Sequence, residues 1–586
     1  MKRQLRSTVG FTPTISAPFL TALFLMSMVT TSWGQQDPVW SVTLQDDIEW
    51  QRLAPTGHLL VSTRGSLLSL DPETGEVLWE REDLRRLTGG EYESGMAGFI
   101  PYTPYVIVRK FAGADKTVKH SNMPYYINLV NVATGEDLWT TETLELKEHY
   151  GYFLLPEVGG MLIHAKDQDG TKTVFLLQVQ SGTILWENAE FFAGGDPFIS
   201  QEGNRHLQTI ARNQRPLFDS DSTMITFMSK RAIKKFNART GELIWETAVD
   251  AKQVPARAYG YAPMLLTEDA DIVYAPIDET VSAVSTADGS VIWEEGPELG
   301  EKVRYMQLTP GGLLVRAGSI MNLLDPATGQ PLWEKDYEER VAQSSLTPQG
   351  LVIRGNKRIT VLDLATGQSI WEDEFKKLKE NKSTNFVIKD DKITVYSDKK
   401  LYVINLPDGE YTELAKDLKF EDGEVPRVLQ LRDDGYFLRS SNNLMLVSFS
   451  GEQVFHTYHK KPGLSLLEKA AGFVIDEGIV EAEGGYGEQA GDEWLREFQR
   501  DLNRQRFRPT PTQDAYTYML TNIETDNEKG PGLVRVNNLD GTTEEQLILG
   551  TKKPDYKMAS FSFAGSELES RLFFKADKKQ IVCYRF

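Results

Sequence analysis

Residues of the kinds that do chemistry are few in this sequence, and they are scattered. The histidines are His58, His120, His149, His164, His206, His456 and His459, and the single cysteine is Cys583. Only His456 and His459 stand close enough to be read as paired metal ligands. On a strand, residues three apart face opposite sides, so one ion would not take both. Two acidic stretches, "DQDG" at 167–170 and "DSDS" at 219–222, open like calcium loops. Their twelfth positions are Gln178 and Lys230, where a calcium loop closes with glutamate, so hairpin turns are expected instead. "GGYGEQAG" at 484–491 has glycines but lacks the Lys-Ser/Thr of a phosphate loop. Among 84 Asp and Glu residues, pairs such as Asp433-Asp434 arise by number alone and single out no general acid and base. The expectation is no catalytic, cofactor-binding or metal-ligating residue, and no cofactor.

The densest chemical feature is basic. In "DEWLREFQRDLNRQRFRP", residues 492–509, Trp494, Leu495, Phe498 and Leu502 fall on one helical face. Arg496, Arg500 and Arg504 occupy the other side, Arg506 and Arg508 follow, and Asp492 can cap the start. This predicts a helical insertion near 484–511. It reads either as a brace neutralised by nearby acids or as a partner contact through Arg496, Arg500 and Arg504.

What carries this segment is a repeat. "DPETGEVLWE" at 71–80 returns as "NVATGEDLWT", "NARTGELIWE", "DPATGQPLWE" and "DLATGQSIWE". Aligned on glycine, the phrase falls at Gly75, Gly135, Gly182, Gly241, Gly289, Gly329 and Gly367. Four residues later stand Trp79, Trp139, Trp186, Trp245, Trp293, Trp333 and Trp371. Seven of 11 tryptophans in one register make an internal repeat. Asp or Asn four residues before glycine can close a turn, and glycine supplies positive φ. Apolar runs on both sides make the phrase a hairpin, and two further strand-like runs precede each one. Weaker copies carry Gly409, Gly451 (with Phe455 in the tryptophan slot) and Gly541. An eleventh unit is split. "RLFFKADKKQIVCYRF" supplies two strands at the C-terminus, and "DPVWSVTL" supplies an outer strand with Trp40 in the slot. Pairing the two would close the array and remove its exposed edges. The fold class expected is all-β: a propeller of about eleven four-stranded units.

The phrase Asp-x-x-Thr-Gly-x-x-x-Trp resembles the PQQ-like β-propeller repeat. That family includes quinoprotein alcohol dehydrogenases and the propeller subunit of the bacterial outer-membrane protein assembly machinery. The resemblance covers nearly all of residues 35–586. It implies that the seven register tryptophans dock each blade on its neighbour, a structural role. Members usually close with eight blades, whereas eleven units are counted here, in one large ring or two. The resemblance also implies, for the dehydrogenases, an adjacent cysteine pair beside the quinone. A chain whose one cysteine is Cys583 departs from that pattern. Quinone-dependent catalysis is therefore disfavoured.

The first 34 residues differ from the rest. Lys2, Arg3 and Arg6 precede an apolar run at 17–29, then Ser32-Trp33-Gly34, a signal-peptide layout. No cysteine stands at the expected cleavage site, so lipoprotein attachment is not expected, and one thiol allows no internal disulfide. No later segment has the apolar length of a membrane span. A net charge of −20 repels phosphate backbones and excludes nucleic acid as a partner class. The resulting expectation is a periplasmic or secreted, non-catalytic scaffold or binding protein. It would be monomeric outside its complex, with envelope proteins as partners. The alternatives are a quinoprotein-type or other exported enzyme, or a binder of carbohydrate or another small ligand.

Overall fold

Asp71 shows why the repeated phrase turns. Its Oδ1 accepts hydrogen bonds from the backbone N–H of Glu73 (2.7 Å) and Thr74 (2.9 Å), while the Thr74 hydroxyl accepts from Glu76. The Asp71 carbonyl accepts from Gly75 N–H, and Asp71 N–H donates to the Glu76 carbonyl, both at 2.9 Å. Gly75 closes the turn at φ 75°, a left-handed conformation that costs an ordinary residue about 1–2 kcal/mol. Each aligned glycine through Gly541 has φ between 67° and 88°.

The computed structural model describes residues 37–84, 97–100, 103–111, 125–144, 146, 148–189, 216–220, 222–228, 232–248, 262, 264–277, 279–339, 341–440, 442–460, 516–524, 529–549, 563–566 and 571–585. The leader at 1–34 and the arginine-rich segment at 492–509 lie outside them. Within them, eleven antiparallel sheets follow one another along the chain as the blades of an eleven-bladed β-propeller. Blades 1 to 10 occupy residues 48–81, 97–140, 148–188, 217–248, 265–285, 303–338, 343–362, 387–415, 428–458 and 516–548. Blade 11 combines residues 563–585 with the strand Trp40–Thr43, which lies antiparallel on Gln580–Arg585 with Trp40 opposite Cys583 and Thr43 opposite Gln580. Lys575 and Lys579 strengthen that seam by donating to the carbonyls of Ile48 and Gln45. No helix among the described residues is long and apolar enough to cross a membrane.

Three sheets show three strands instead of four. In blades 5 and 7 the outer strand shrinks to bridges, Val284–Val291 and Leu362–Ser369. In blade 10 the missing strand would fall before Tyr516, outside the described residues.

The core is divided among the joints. Side chains alternate across a strand, so each blade feeds two different interfaces. In the strand Leu59–Thr63, Leu59 and Val61 pack with Phe573, Ile581 and Cys583 of blade 11, while Leu60 packs with Val106, Val108 and Val130 of blade 2. Similar clusters fill every joint onward to blades 9 and 10, where Phe437 and Leu446 meet Met519 and Val534. A change at one face therefore loosens one joint.

Candidate interaction surface

The aligned tryptophans sit on the outermost strands of blades 1 to 4 and on the bridged outer segments of blades 5 to 7, and each reaches across a joint. Trp79 Nε1 donates to the Val132 carbonyl (2.7 Å), Trp139 to Val179 (2.7 Å), Trp186 to Ala238 (3.0 Å) and Trp245 to Thr286 (3.0 Å). Trp293 donates to Pro326 (3.0 Å), Trp333 to Leu364 (2.8 Å) and Trp371 to Leu406 (2.8 Å). Trp40, on the split blade, donates to Pro72 of blade 1 (3.0 Å). The acceptor is always the carbonyl three residues before the next blade's glycine. The indole lies on that glycine: a Cβ at Gly75, Gly329 or Gly409 would come within 2.6 Å of it. Glycine is thus required twice, for its φ and for the bare face it offers the indole.

A β-bulge aims the tryptophan. In blade 1, Trp79 pairs with Ser69 but Val77 pairs with Leu70, which leaves Leu78 as the extra residue. Blades 2, 3, 4 and 9 bulge at the same place, at Leu138, Leu185, Ile244 and Val454. Bulges increase local twist and redirect side chains. Here the bulge turns the indole into the joint and leaves its neighbour in solvent. Leu78 is 43% exposed, Leu185 45%, Ile244 46% and Val454 56%, with Leu332 and Ile370 exposed at the equivalent place in blades 6 and 7. An apolar side chain thus recurs around the rim, on edge strands whose outer side carries no further strand.

A second recurrent bond escaped the sequence reading. Two residues after the tryptophan slot, Arg81 and Asn188 donate to the carbonyls of Gly135 (2.8 Å) and Gly241 (2.6 Å). Thr247 and Thr457 donate likewise to Gly289 and Gly541. The available signal was a donor side chain two residues after Trp79, Trp186, Trp245 and Phe455, a position that holds Glu295 and Asp373 after Trp293 and Trp371.

The joints around blade 9 are built differently. Blade 8 has Glu413 in the tryptophan slot, paired with Lys400. The following turn is one residue shorter, since Gly451 N–H returns to Ser448 and not to the residue before it. Here the Leu414 main-chain carbonyl packs on Gly451 in place of an indole. At the next joint Phe455 covers Gly541 but has no donor. The Asn538 carbonyl, three residues before Gly541, accepts instead from the Arg432 guanidinium. Arg432 is buried, chelated by Asp434 (2.8 and 3.0 Å) and stacked over Phe437.

The remaining candidates lie elsewhere. His456 Nε2 meets Asn443 and His459 Nε2 meets Thr543, both at 3.0 Å, so the imidazoles diverge to different blades. Burial lowers both below the ordinary histidine pKa. Burial, then a hydrogen bond to Asp422, raises the nearby Tyr458 phenol well above its usual range. The stretch from Asp167 to Gly170 forms a hairpin turn, with Gly170 N–H on the Asp167 carbonyl. Asp219 binds Lys235, which also donates to the Thr286 carbonyl that Trp245 uses. Among the described residues, no three His, Cys, Asp or Glu converge as metal ligands do. Arg496, Arg500 and Arg504 lie outside those residues.

Comparison with known proteins follows this geometry. Residues 125–296, 172–345 and 277–451 match the family model described as outer membrane protein assembly factor BamB. Similar solved structures include BamB from Moraxella catarrhalis, 14% identical, covering 60% of this chain and 93% of that one, with a TM-score of 0.30. A computationally designed protein, Ika8, is 14% identical over 72% of this chain and 100% of that one (TM-score 0.25). Quinohemoprotein alcohol dehydrogenase ADHIIG from Pseudomonas putida HK5 is 12% identical over 76% and 82% (TM-score 0.23). No curated protein matches the sequence. With its repeats matched from residue 125 to residue 451, more than half its length, the chain belongs to the BamB family of PQQ-like β-propellers.

Proposed function

We propose that this protein is an exported, non-catalytic scaffold of the cell envelope that binds other envelope proteins through the rim of its propeller. The observation that carries this reading is the exposed apolar residue beside the tryptophan slot, repeated from blade to blade. Exposed apolar residues that recur at one position of successive blades give a partner a row of contacts, and edge strands offer main-chain groups beside them. Membership of an assembly-factor family supports the same reading. The unbroken series of joints from blade 11 through blade 1 to blade 10 favours one ring over two. The basic, apolar, small-residue order of residues 1–34 supports export, with the mature chain starting near Gln35. Arg496, Arg500 and Arg504 are a second contact, suited to an acidic partner.

The test is capture from solubilised envelopes with the full-length protein carrying a photo-crosslinker at Leu185 or Ile244. Crosslinks to envelope proteins, lost when the neighbouring rim residues are changed to Asp, support the scaffold. Turnover of alcohols after loading with pyrroloquinoline quinone and calcium, with a quinone absorbance band, would replace it with the dehydrogenase reading.

A further inference from the structure

The outer segments of the blades hold most of the large apolar side chains that are exposed. Of fifteen such side chains among the described residues, thirteen lie there, and the other two, Phe449 and Leu539, lie in turns that lead into them. Their neighbours are just as regular. The residue after the turn glycine is Glu76, Glu136, Glu242, Glu410 or Glu452 in five blades. The residue after the tryptophan slot is Glu80, Glu187, Glu246, Glu294, Glu334 or Glu372 in six. All eleven carboxylates are exposed, and Lys or Arg stands at neither position in blades 1 to 10. Glu80 and Glu246 also reach Ser66 and Lys234, yet both stay at the surface. Blades 1 and 4 show the motif whole. Val77 and Leu78 lie between Glu76 and Glu80, and Leu243 and Ile244 between Glu242 and Glu246, all eight exposed.

This pattern narrows the occupant. A second copy of the chain would bring glutamate against glutamate, and an anionic lipid surface would be repelled in the same way. A partner strand would have to follow an edge that a bulge interrupts in blades 1 to 4 and 9, at the apolar residue itself. A segment that meets the rim through side chains, apolar in the middle and basic at both ends, satisfies all three conditions. Along an outer strand the two glutamates lie about 13 Å apart, at about 3.3 Å per residue. On an α-helix, basic residues about eight positions apart span about 12 Å of one face, with apolar residues between them.

We propose that the rim receives a cationic amphipathic helix of a partner protein. Each engaged blade gives its exposed apolar residues to the helix stripe and its glutamates to the flanking Lys or Arg. This rests on the scaffold reading and adds the chemistry of the partner.

Fluorescence anisotropy of the full-length protein with a labelled helical peptide of Leu and Lys in that spacing tests it, beside a peptide with Glu in place of Lys. The wild type should bind the Lys peptide, more tightly at low salt, and should not bind the Glu peptide. Glu76→Lys, Glu242→Lys, Glu334→Lys and Glu372→Lys together should weaken the Lys peptide by about tenfold or more and admit the Glu peptide. Asp169→Lys, Glu268→Lys, Glu380→Lys and Asp433→Lys, exposed in turns away from the outer segments, change the net charge equally and should do neither. Leu78→Ser with Ile244→Ser should weaken the Lys peptide with every charge in place. No binding by the wild type, equal effects of the two charge-reversal sets, or no effect of the serine variant overturns the proposal. Rim binding of phosphatidylglycerol vesicles or of a second copy in place of the peptide also overturns it. Envelope crosslinks at Leu185 that survive the rim reversal would sink this partner and leave the scaffold standing. Peptide binding without any such crosslink would sink the scaffold and leave the helix site.

Discussion

From blade 11 round to blade 8, every joint is an indole laid on a glycine and hydrogen-bonded to the carbonyl three residues before it. From blade 8 to blade 10 there is no indole. Leu414 brings its own main chain against Gly451, and Phe455 with Arg432 divides between two side chains what one tryptophan does elsewhere. The contrast separates the requirement from the residue that usually meets it. A joint needs a bare glycine, something flat or close on top of it, and a donor for one fixed carbonyl. Tryptophan supplies the last two at once, and so it recurs.

The largest effect should come from the glycine, because both kinds of joint use it. Gly367→Val forces a β-branched residue into φ 69° and drives Trp333 from its seat, at a cost of roughly 4–6 kcal/mol. Chemical denaturation that showed under about 2 kcal/mol would mean that the joint tolerates a displaced indole. Trp333→Ala, which leaves the turn intact, should cost about 3–5 kcal/mol by the same measurement. In the other arc, Arg432→Met should cost about 1–3 kcal/mol by removing the guanidinium that the Asn538 carbonyl accepts from. The sharper experiment adds Phe455→Trp to that variant. If the two joints are solutions to one problem, the new indole should bond Asn538 and restore about 1 kcal/mol. Phe455→Trp alone, with Arg432 already on the carbonyl, should restore nothing.

The smallest effect is one of pH. His456 and His459 lie at this joint with burial holding both below their unfolded pKa of 6.5. Protons then bind the unfolded chain more readily. The stability these groups confer is complete above pH 6.5 and is lost as the pH falls from that value through the lower pKa of the folded state. Replacing both by Gln should flatten the stability profile between about pH 7.5 and about pH 5.5 by about 1 kcal/mol or less. Wild-type and variant profiles that run parallel would assign the pH response to carboxylates.

The arc built on tryptophan was legible in the sequence, and the other arc only in outline. Gly75 and Trp79 can be read because φ and indole area both depend on residue type. The acceptor cannot, because it is a main-chain oxygen carried by Pro72, Val132, Thr286 or Leu364 without preference. Arg432 was hidden for a related reason. It comes from the inner end of its blade, and nothing in "LRDDGY" relates it to a turn more than a hundred residues later. The shortened turn at Gly451 left a trace in "SFSGE", which lacks the Asp-x-x-Thr of its siblings. Of the interaction surface, the apolar residue before each tryptophan was present in every quoted phrase. Its exposure follows from how the outer segment pairs, through a bulge in blades 1 to 4 and 9 and through isolated bridges at Leu332 and Ile370, and side-chain types do not announce that pairing.

Trp40 carries a consequence for the order of events during synthesis. Its strand belongs to the sheet of the last blade, yet its indole bonds Pro72 only 32 residues away. The other indole bonds span between 31 and 53 residues. A ribosome emitting this chain therefore lays down the outermost strand of blade 11 first and pins it to the flank of blade 1. Each later joint up to blade 8 completes within about one blade's length of chain, and the joint of blades 9 and 10 waits longer, across the 106 residues between Arg432 and Asn538. The extreme is the final step, when Gln580–Arg585 arrives at a strand fixed since the start, across separations such as the 522 residues between Gln51 and Phe573. The entropy of so long a closure grows only with the logarithm of its length. The last strand thus adds to a standing template, and the two ends need not search for one another as free chain.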